Sequence, residues 1–156
     1  MKRIKGIPVI YRKINSMALV ISKVPGKDLE HLSEKEKPDL EFFQKLTSLI
    51  QGCHRHGTVY CDLKRSFNIM IDEFGDPYIV DWAAAIMSEE FSIYPLRIIY
   101  KRFIEDDFKA VIKLKMRYCP EGITDEEKEN YAHRSIAELA TRAIRDVARR
   151  CLQRIA

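Results

Sequence analysis

The sequence lacks the cysteine spacing of a metal site. Among its 156 residues there are four cysteines, and none of them forms a C-x-x-C pair. Such wide spacing argues against a zinc site and against a secreted disulfide scaffold. We therefore expect free thiols in a reducing compartment.

Long apolar runs are missing as well. No stretch approaches the roughly 18 apolar residues of a membrane span, and the basic start MKRIKGIPVIYRK has no signal-peptide core. Apolar residues make up 46% and charged residues 32%, which is typical of a folded globular chain. We expect one cytoplasmic domain over 1–156. The net charge of +4 permits an anionic partner without requiring one.

Two pairs of short apolar runs predict β-hairpins. The first pair covers residues 7–11 and 17–21, with a turn at Asn15 and Ser16. The second pair is IMID and PYIVD, on either side of the turn EFGD. Both hairpins are bounded by residues that favour turns, so each should form a local antiparallel unit.

The rest of the sequence has helical spacing. A buried stripe predicts a helix from about Asp39 to His54, which Gly57 should end. A second helix is predicted around 103–114, and Thr124 with Glu127 forms the capping box of a third. The apolar stripe of that third helix is Ile136, Leu139, Ala140, Ala143, Ile144, Val147, Ala148, Cys151 and Ile155. The predicted fold is α+β and mainly helical.

A polar loop, VYCDLKRSFNIMID, lies between the first predicted helix and the second hairpin. Its Asp62, Lys64 and Asn68 supply the groups that phosphoryl transfer needs, namely a carboxylate, a cation and a neutral oxygen ligand. Because the hairpin is tight, Asn68 and Asp81 should leave it side by side and could share a metal. A solvated loop lysine is an equally open reading of Lys64.

These residues carry a resemblance. The segment HRHGTVYCDLKRSFNIMI, followed by YIVDWA, resembles the catalytic loop and metal-binding segment of the protein-kinase-like superfamily. It is most similar to the atypical RIO-type kinases and the lipopolysaccharide core sugar kinases. The resemblance implies a kinase-like C-terminal lobe (25–156), preceded by a hairpin remnant of the N-terminal lobe and a hinge (1–24).

The resemblance also implies roles for individual residues. Asp62 would be the catalytic base and Lys64 the γ-phosphate contact, and Asn68 and Asp81 would bind Mg²⁺. In the hinge, the adenine of ATP would meet the backbone of Ile21, Ser22 and Val24. An aspartate of a later helix, either Asp107 or Asp106, would anchor the catalytic loop.

Several features depart from the superfamily pattern. The sequence has no GxGxxG loop and no VAIK-like segment, the segment that carries the superfamily's phosphate-contacting strand lysine. Tyr60 and Cys61 replace the usual His-Arg, and the interval from Asp62 to Asn68 is one residue longer than usual. Trp82 follows Asp81, as in small-molecule kinases of the aminoglycoside phosphotransferase type.

The implied function is ATP- and Mg²⁺-dependent phosphorylation of a hydroxyl on a protein (Ser/Thr) or an envelope sugar. The alternatives are a small-molecule kinase and a catalytically inactive pseudokinase that serves as a binding module. A partner that supplies the missing lobe is a further expectation, and nucleic acid is not expected. His54 and His56 are read as packing or helix-end residues, and Cys61 as a small buried residue rather than a redox site.

Overall fold

A computed structural model describes residues 4–15, 18–33, 36–94 and 96–132. The chain divides into two compact units, Met1–Ile123 and Thr124–Ala156. Within the described residues, no helix is long and apolar enough to cross a bilayer. The predicted α+β fold class is confirmed: helices alternate with small antiparallel sheets, and the described helices are three in number.

Strands β1 (Ile10–Asn15) and β2 (Ala18–Ile21) form the first predicted hairpin as a separate antiparallel sheet. The first strand begins three residues later than predicted. The Gly6 carbonyl accepts a hydrogen bond from the Ile79 amide (2.8 Å), which holds the preceding residues against the second hairpin instead. Asn15, predicted in the turn, is the last residue of β1, and Ser16 and Met17 lie outside the described part of the chain.

A three-stranded sheet holds the second hairpin. Its middle strand β5 (Ile69–Ile71) pairs with β6 (Pro77–Ile79) on one side and with β3 (Lys27–Asp28) on the other. The hairpin was predicted, whereas β3 was not. Gly26 has φ +90° and lies so close to Ile71 that a side chain there would collide with the Ile71 carbonyl. The lack of a side chain at Gly26 therefore allows β3 to lie alongside β5. A third small sheet pairs β4 (Thr58–Val59) with β7 (Ile86–Met87).

Helix α1 (Leu40–Arg55) forms as predicted. The Asp39 side chain accepts a hydrogen bond from the Phe42 amide (2.8 Å) and caps the first turn. Gly57 ends the helix at φ +76° and donates its amide to the His54 carbonyl (2.9 Å). One face of the helix is buried: Phe42, Phe43, Leu46, Leu49, Ile50 and Cys53.

Helix α2 (Leu96–Tyr118) is longer than the predicted segment and packs against α1. Its buried face includes Ala110, Val111 and Leu114, together with one aspartate, Asp107. Residues of α1, α2, the strands β5 and β6, and the segments that connect them form a continuous core. They are Leu29, Phe42, Phe43, Leu46, Ile50, Tyr60, Leu63, Ile69, Ile79, Val111 and Leu114.

In the second unit, α3 (Asp125–Ala132) begins with the predicted capping box. The Glu127 amide donates to the Thr124 hydroxyl (3.2 Å), and the Thr124 amide donates to the Glu127 carboxylate (2.9 Å). The predicted apolar stripe from Ile136 to Ile155 lies outside the described residues.

Replacing Gly26 by alanine tests the packing of β3. A Cβ there would lie 1.9 Å from the Ile71 carbonyl oxygen, so Gly26→Ala should lower the free energy of unfolding by roughly 3–5 kcal/mol. Gly75→Ala is the matched control, because Gly75 has φ +73° but no neighbour within 4 Å. It should cost only about 1–2 kcal/mol. Urea denaturation measures both, and equal losses would contradict the proposed close approach.

Candidate active site

The polar loop is fixed to α2 by a buried carboxylate. Asp107, which is 1% exposed, accepts a hydrogen bond from the Tyr60 amide on Oδ2 (2.9 Å) and one from the Cys61 amide on Oδ1 (2.9 Å). The Nε2 atom of His54 lies 3.0 Å from Oδ2 of Asp107 and is the third hydrogen-bonding group on this carboxylate. Three donors from two other segments therefore compensate for the burial of this charge.

The neighbouring aspartate does not share this role. Asp106 lies on the half-exposed side of α2 and pairs with Arg102 four residues earlier (3.4 Å). The sequence left the loop anchor open between the two aspartates, and the geometry selects Asp107. His54 and His56 act as expected from the sequence, since His54 packs edge-on against Phe108 and His56 bonds to the Gly52 carbonyl at the helix end.

Cys61 turns the chain toward the site. Its φ is +70°, a left-handed conformation that is uncommon for residues other than glycine. The hydrogen bonds from the Tyr60 and Cys61 amides to Asp107 hold this strained backbone in place. Burial, followed by the nearby Asp107 carboxylate, raises the pKa of the Cys61 thiol to about 11. This agrees with a structural rather than a redox role.

Asp62 and Asn68 meet in spite of the longer interval between them. The Asn68 amide nitrogen donates to Oδ2 of Asp62 (3.2 Å), and the extra residue is taken up in a short 3₁₀ turn, Ser66–Asn68. Asn68 is buried and Asp62 is half-exposed. Because the amide nitrogen makes this bond, the carbonyl oxygen of Asn68 remains suited to another ligand.

Arg65, rather than Lys64, contacts Asp62. The Nε of Arg65 lies 3.3 Å from Oδ2 of Asp62, and its guanidinium lies 5.8 Å from the Phe67 ring centre. Lys64 is exposed and makes no ion pair with another residue of the described ranges. Sequence reasoning missed Arg65, because a second cation in a charged loop has no distinguishing signal.

Asp81 follows the second hairpin strand directly. Ile69 pairs with Ile79, and the Val80 amide donates to the Asn68 carbonyl (2.9 Å), so Asp81 is the next residue beyond that bond. Its backbone is left-handed at φ +58°, and its side chain accepts from the Ala83 amide (3.4 Å). The side chain itself is exposed.

Tyr60 joins the loop to the end of the hairpin. Its hydroxyl donates to the Val80 carbonyl, and its ring packs edge-on against Trp82 with centroids 5.0 Å apart. Burial raises the pKa of the Tyr60 hydroxyl well above its ordinary value, and the nearby carboxylates of Asp81 and Asp62 raise it further. Tyr60 was noted from the sequence only as a departure, although its structural role is central.

A polar contact on the outer side also holds the turn that carries Asn68. Ser66 is buried and donates its hydroxyl to Glu30, which also forms a two-point pair with Arg117 (2.9 and 3.1 Å). The arginine comes from the last turn of α2, the same helix that carries Asp107. The loop is thus attached to α2 near both of its ends.

The predicted hinge residues are less clearly placed for a ligand. The Ser22 amide donates to the Val9 carbonyl (2.8 Å), and its hydroxyl accepts from the Val9 amide (2.9 Å). Ile21 lines an apolar cavity that also touches Trp82, and Val24 is half-buried. Adenine binding by Ile21, Ser22 and Val24 stays a prediction.

The donor set of the site fits a hard cation bound together with phosphates. In the described part of the chain, no three His, Cys, Asp or Glu side chains cluster as a complete metal site. Mg²⁺ commonly takes only one or two carboxylates from a protein and completes its octahedron with phosphates and water. Asp81 and the amide oxygen of Asn68 fit that limited contribution.

Comparison with known proteins identifies a similar kinase. Over 78 residues the chain is 35% identical to the RIO-type serine/threonine-protein kinase Rio2 of Methanocaldococcus jannaschii. The match covers 46% of this chain and 28% of that protein, so the chain spans less than a third of its relative's length. No family model matches the chain. The partial similarity supports a relationship to the protein-kinase-like superfamily, and it does not extend to the lipopolysaccharide kinases.

The anchoring role of Asp107 predicts a large stability loss in Asp107→Asn. The amide would present N–H groups to donors that now share a carboxylate, so the free energy of unfolding should fall by roughly 3–5 kcal/mol. Asp106→Asn removes the same charge one residue away and should change it by no more than about 0.5 kcal/mol. Guanidinium denaturation measures both variants, and similar values for the two would contradict the assignment of the anchor.

The raised pKa of Cys61 predicts slow alkylation. Because the thiolate is the nucleophile, the rate of iodoacetamide modification should keep rising through pH 9 and 10, toward a midpoint near 11. The urea-unfolded chain is the control, and its cysteines should level off near the ordinary pKa of about 8.5. Mass spectrometry resolves the rate for the Cys61 peptide. A midpoint near pH 8.5 in the folded chain would show that the thiol is not shielded.

Proposed function

We propose that the chain is the catalytic lobe of a phosphotransferase that uses ATP and Mg²⁺ to phosphorylate a hydroxyl group. The observation that carries this proposal is the convergence of Asp62, Asn68 and the hairpin end before Asp81. The Asn68 side chain bonds to Asp62 while its backbone carbonyl bonds to Val80. These bonds support the proposal, because the residue proposed as base and the two proposed metal ligands come from neighbouring segments.

In the proposed reaction, Asp62 accepts the proton of the acceptor hydroxyl. The hydroxyl oxygen forms a bond to the γ-phosphorus, the bond from that phosphorus to the bridging oxygen breaks, and ADP leaves. The Asn68 amide and the Arg65 guanidinium orient the Asp62 carboxylate. Bound Mg²⁺ would neutralise charge on the phosphates, and Asn68 and Asp81 would hold it.

The finer assignments have separate support. Lys64 is exposed two residues after Asp62 and is available to a phosphate, which favours it as the γ-phosphate contact. The similar protein is named a serine/threonine kinase, which favours a protein hydroxyl over an envelope sugar as acceptor. Adenine would lie against the segment that contains Ile21, Ser22 and Val24.

The second candidate is a binding module without turnover. The Arg65–Asp62 contact favours it, because the Arg65 side chain lies 3.3 Å from the carboxylate oxygen that a reacting hydroxyl would have to approach. The two candidates differ in chemistry and not in nucleotide binding. They separate when ADP formation is measured in a preparation that is known to bind ATP.

Nucleotide binding should require both Mg²⁺ and Asp81. Asp81→Asn should raise the calorimetric Kd for ATP at least about tenfold in the presence of Mg²⁺, because one carboxylate ligand is lost. Glu73→Gln is the matched control: it removes one exposed carboxylate from the turn of the same hairpin and should leave the Kd unchanged. An equal rise in the Kd for ATP in both variants would show that Asp81 acts only through its charge and not as a metal ligand.

Absence of binding at millimolar ATP, in a chain shown to be folded, would overturn the proposal for the chain on its own. If ATP binds and Asp62→Asn abolishes ADP formation, the phosphotransferase is supported. If ATP binds and neither the parent chain nor Asp62→Asn forms ADP, the binding module is supported instead.

A further inference from the structure

The β1–β2 hairpin exposes an unusual amount of apolar surface. Its two strands pair only with each other in the described part of the chain, so both outer edges have unpaired backbone groups. Six large apolar side chains on it are between 41% and 69% exposed: Ile10, Tyr11, Ile14, Leu19, Val20 and Ile21. An isolated two-stranded sheet of this kind is marginal in water and invites a further strand.

An apolar cavity continues this surface into the body of the protein. The cavity has a volume of about 380 Å³, and Ile10, Leu19 and Ile21 line its hairpin side. Cys53, Trp82 and Asp81 line it as well. A side chain presented from the hairpin edge would therefore find an apolar recess next to the proposed active site.

The segment of sequence that contains the hairpin carries charge of one sign. The first 27 residues contain seven lysines and arginines and no acidic residue, although the whole chain has 27 basic and 23 acidic residues. Lys5 and Lys27 pair with Asp76 and Glu36. Arg12, Lys13 and Lys23 are exposed and make no ion pair with any residue that the structure describes.

These three features select the kind of partner. An RNA or a lipid surface would meet the cations, but neither supplies the backbone groups that an open strand edge binds. A second copy could pair its β1 with this one, but antiparallel pairing through the strand centres would place Arg12 and Lys13 opposite like charges. An extended acidic polypeptide with alternating apolar side chains satisfies the edge, the recess and the charge together.

We propose that the β1–β2 hairpin is a docking site for an extended, acidic and apolar segment of another protein, which adds a strand to the hairpin and fills the adjoining recess. The partner's backbone provides affinity and its apolar side chains enter the recess beside Trp82. Its acidic side chains, which project to the other face of the added strand, pair with Arg12, whose cross-strand partner is Val20 and not the recess-lining Leu19. Lys13 and Lys23 add positive charge to the same segment. The recess shares Ile21 and Asp81 with the proposed nucleotide site, so the test of docking uses no nucleotide and its outcome does not depend on phosphoryl transfer.

The test uses two synthetic fluorescent peptides of about ten residues, the length of a long strand. One alternates glutamate with valine and isoleucine, and the other has lysine in place of glutamate. Fluorescence anisotropy with the full chain should show binding of the acidic peptide alone, weakened by salt. Hydrogen exchange should slow at amides of β1 or β2 when the peptide binds.

Two variants separate the contributions of charge and apolar contact. The double reversal Arg12→Glu with Lys13→Glu should raise the Kd of the acidic peptide at least about tenfold. Its matched control, Lys101→Glu with Lys113→Glu on the exposed side of α2, should leave the Kd within about twofold. Leu19→Gln should also weaken binding without changing the salt dependence. Circular dichroism confirms that each variant is folded.

Several results would overturn the proposal. These are no binding of the acidic peptide, equal binding of both peptides, or an unchanged Kd in the folded charge-reversal variant. Exchange protection confined to residues outside the hairpin would do so as well. Dimerisation of the parent chain that Leu19→Gln abolishes would assign the surface to a second copy. Displacement of the peptide by an RNA oligonucleotide that binds more tightly would assign it to nucleic acid.

Discussion

The buried carboxylate of Asp107 is the constraint on which the candidate site depends. Removing such a group from water costs several kcal/mol unless donors replace the lost hydration. Here the donors are the amides of Tyr60 and Cys61 and the ring of His54. The compensation works only if the loop takes one path across α2 and Cys61 accepts a left-handed backbone. The conformation of the loop and the stability of the helical core are therefore linked.

Tyr60 extends this constraint to the hairpin. Its amide is held by Asp107, while its hydroxyl bonds to the Val80 carbonyl one residue before Asp81. One rigid side chain therefore sets the distance between the loop that carries Asp62 and the strand end that carries Asp81. A histidine at this position would be shorter, and the edge-on contact with Trp82 (5.0 Å) would have to change with it. Tyr60 and Trp82, two departures from the superfamily pattern, are thus in direct contact with each other.

Much of the fold could be predicted from the sequence because its signals are local. The stripe and cap of α1, both hairpins and the Thr124–Glu127 capping box each depend on residues within a few positions of one another. The start of β1 could not be predicted, because it is set by a hydrogen bond between Gly6 and Ile79, far away along the chain. The strand β3 was missed for the same reason. In the site, residue types indicated Asp62, Asn68 and Asp81, but only the fold could distinguish Asp107 from Asp106 or place Arg65 on Asp62.

Trp82 contacts both the candidate site and the apolar recess beside the hairpin. On the loop side lie the carboxylates of Asp62 and Asp81, which suit a site that binds cations and polyphosphate through a metal. On the hairpin side lie Arg12, Lys13 and Lys23, with no acid among the first 27 residues. Trp82 contacts Tyr60 on the loop and lines the apolar recess beside the hairpin. A ligand in the recess would contact the indole of Trp82, which also packs against Tyr60. Tyr60 in turn connects the loop that carries Asp62 to the strand end before Asp81. The recess and the candidate site therefore share one aromatic residue, Trp82.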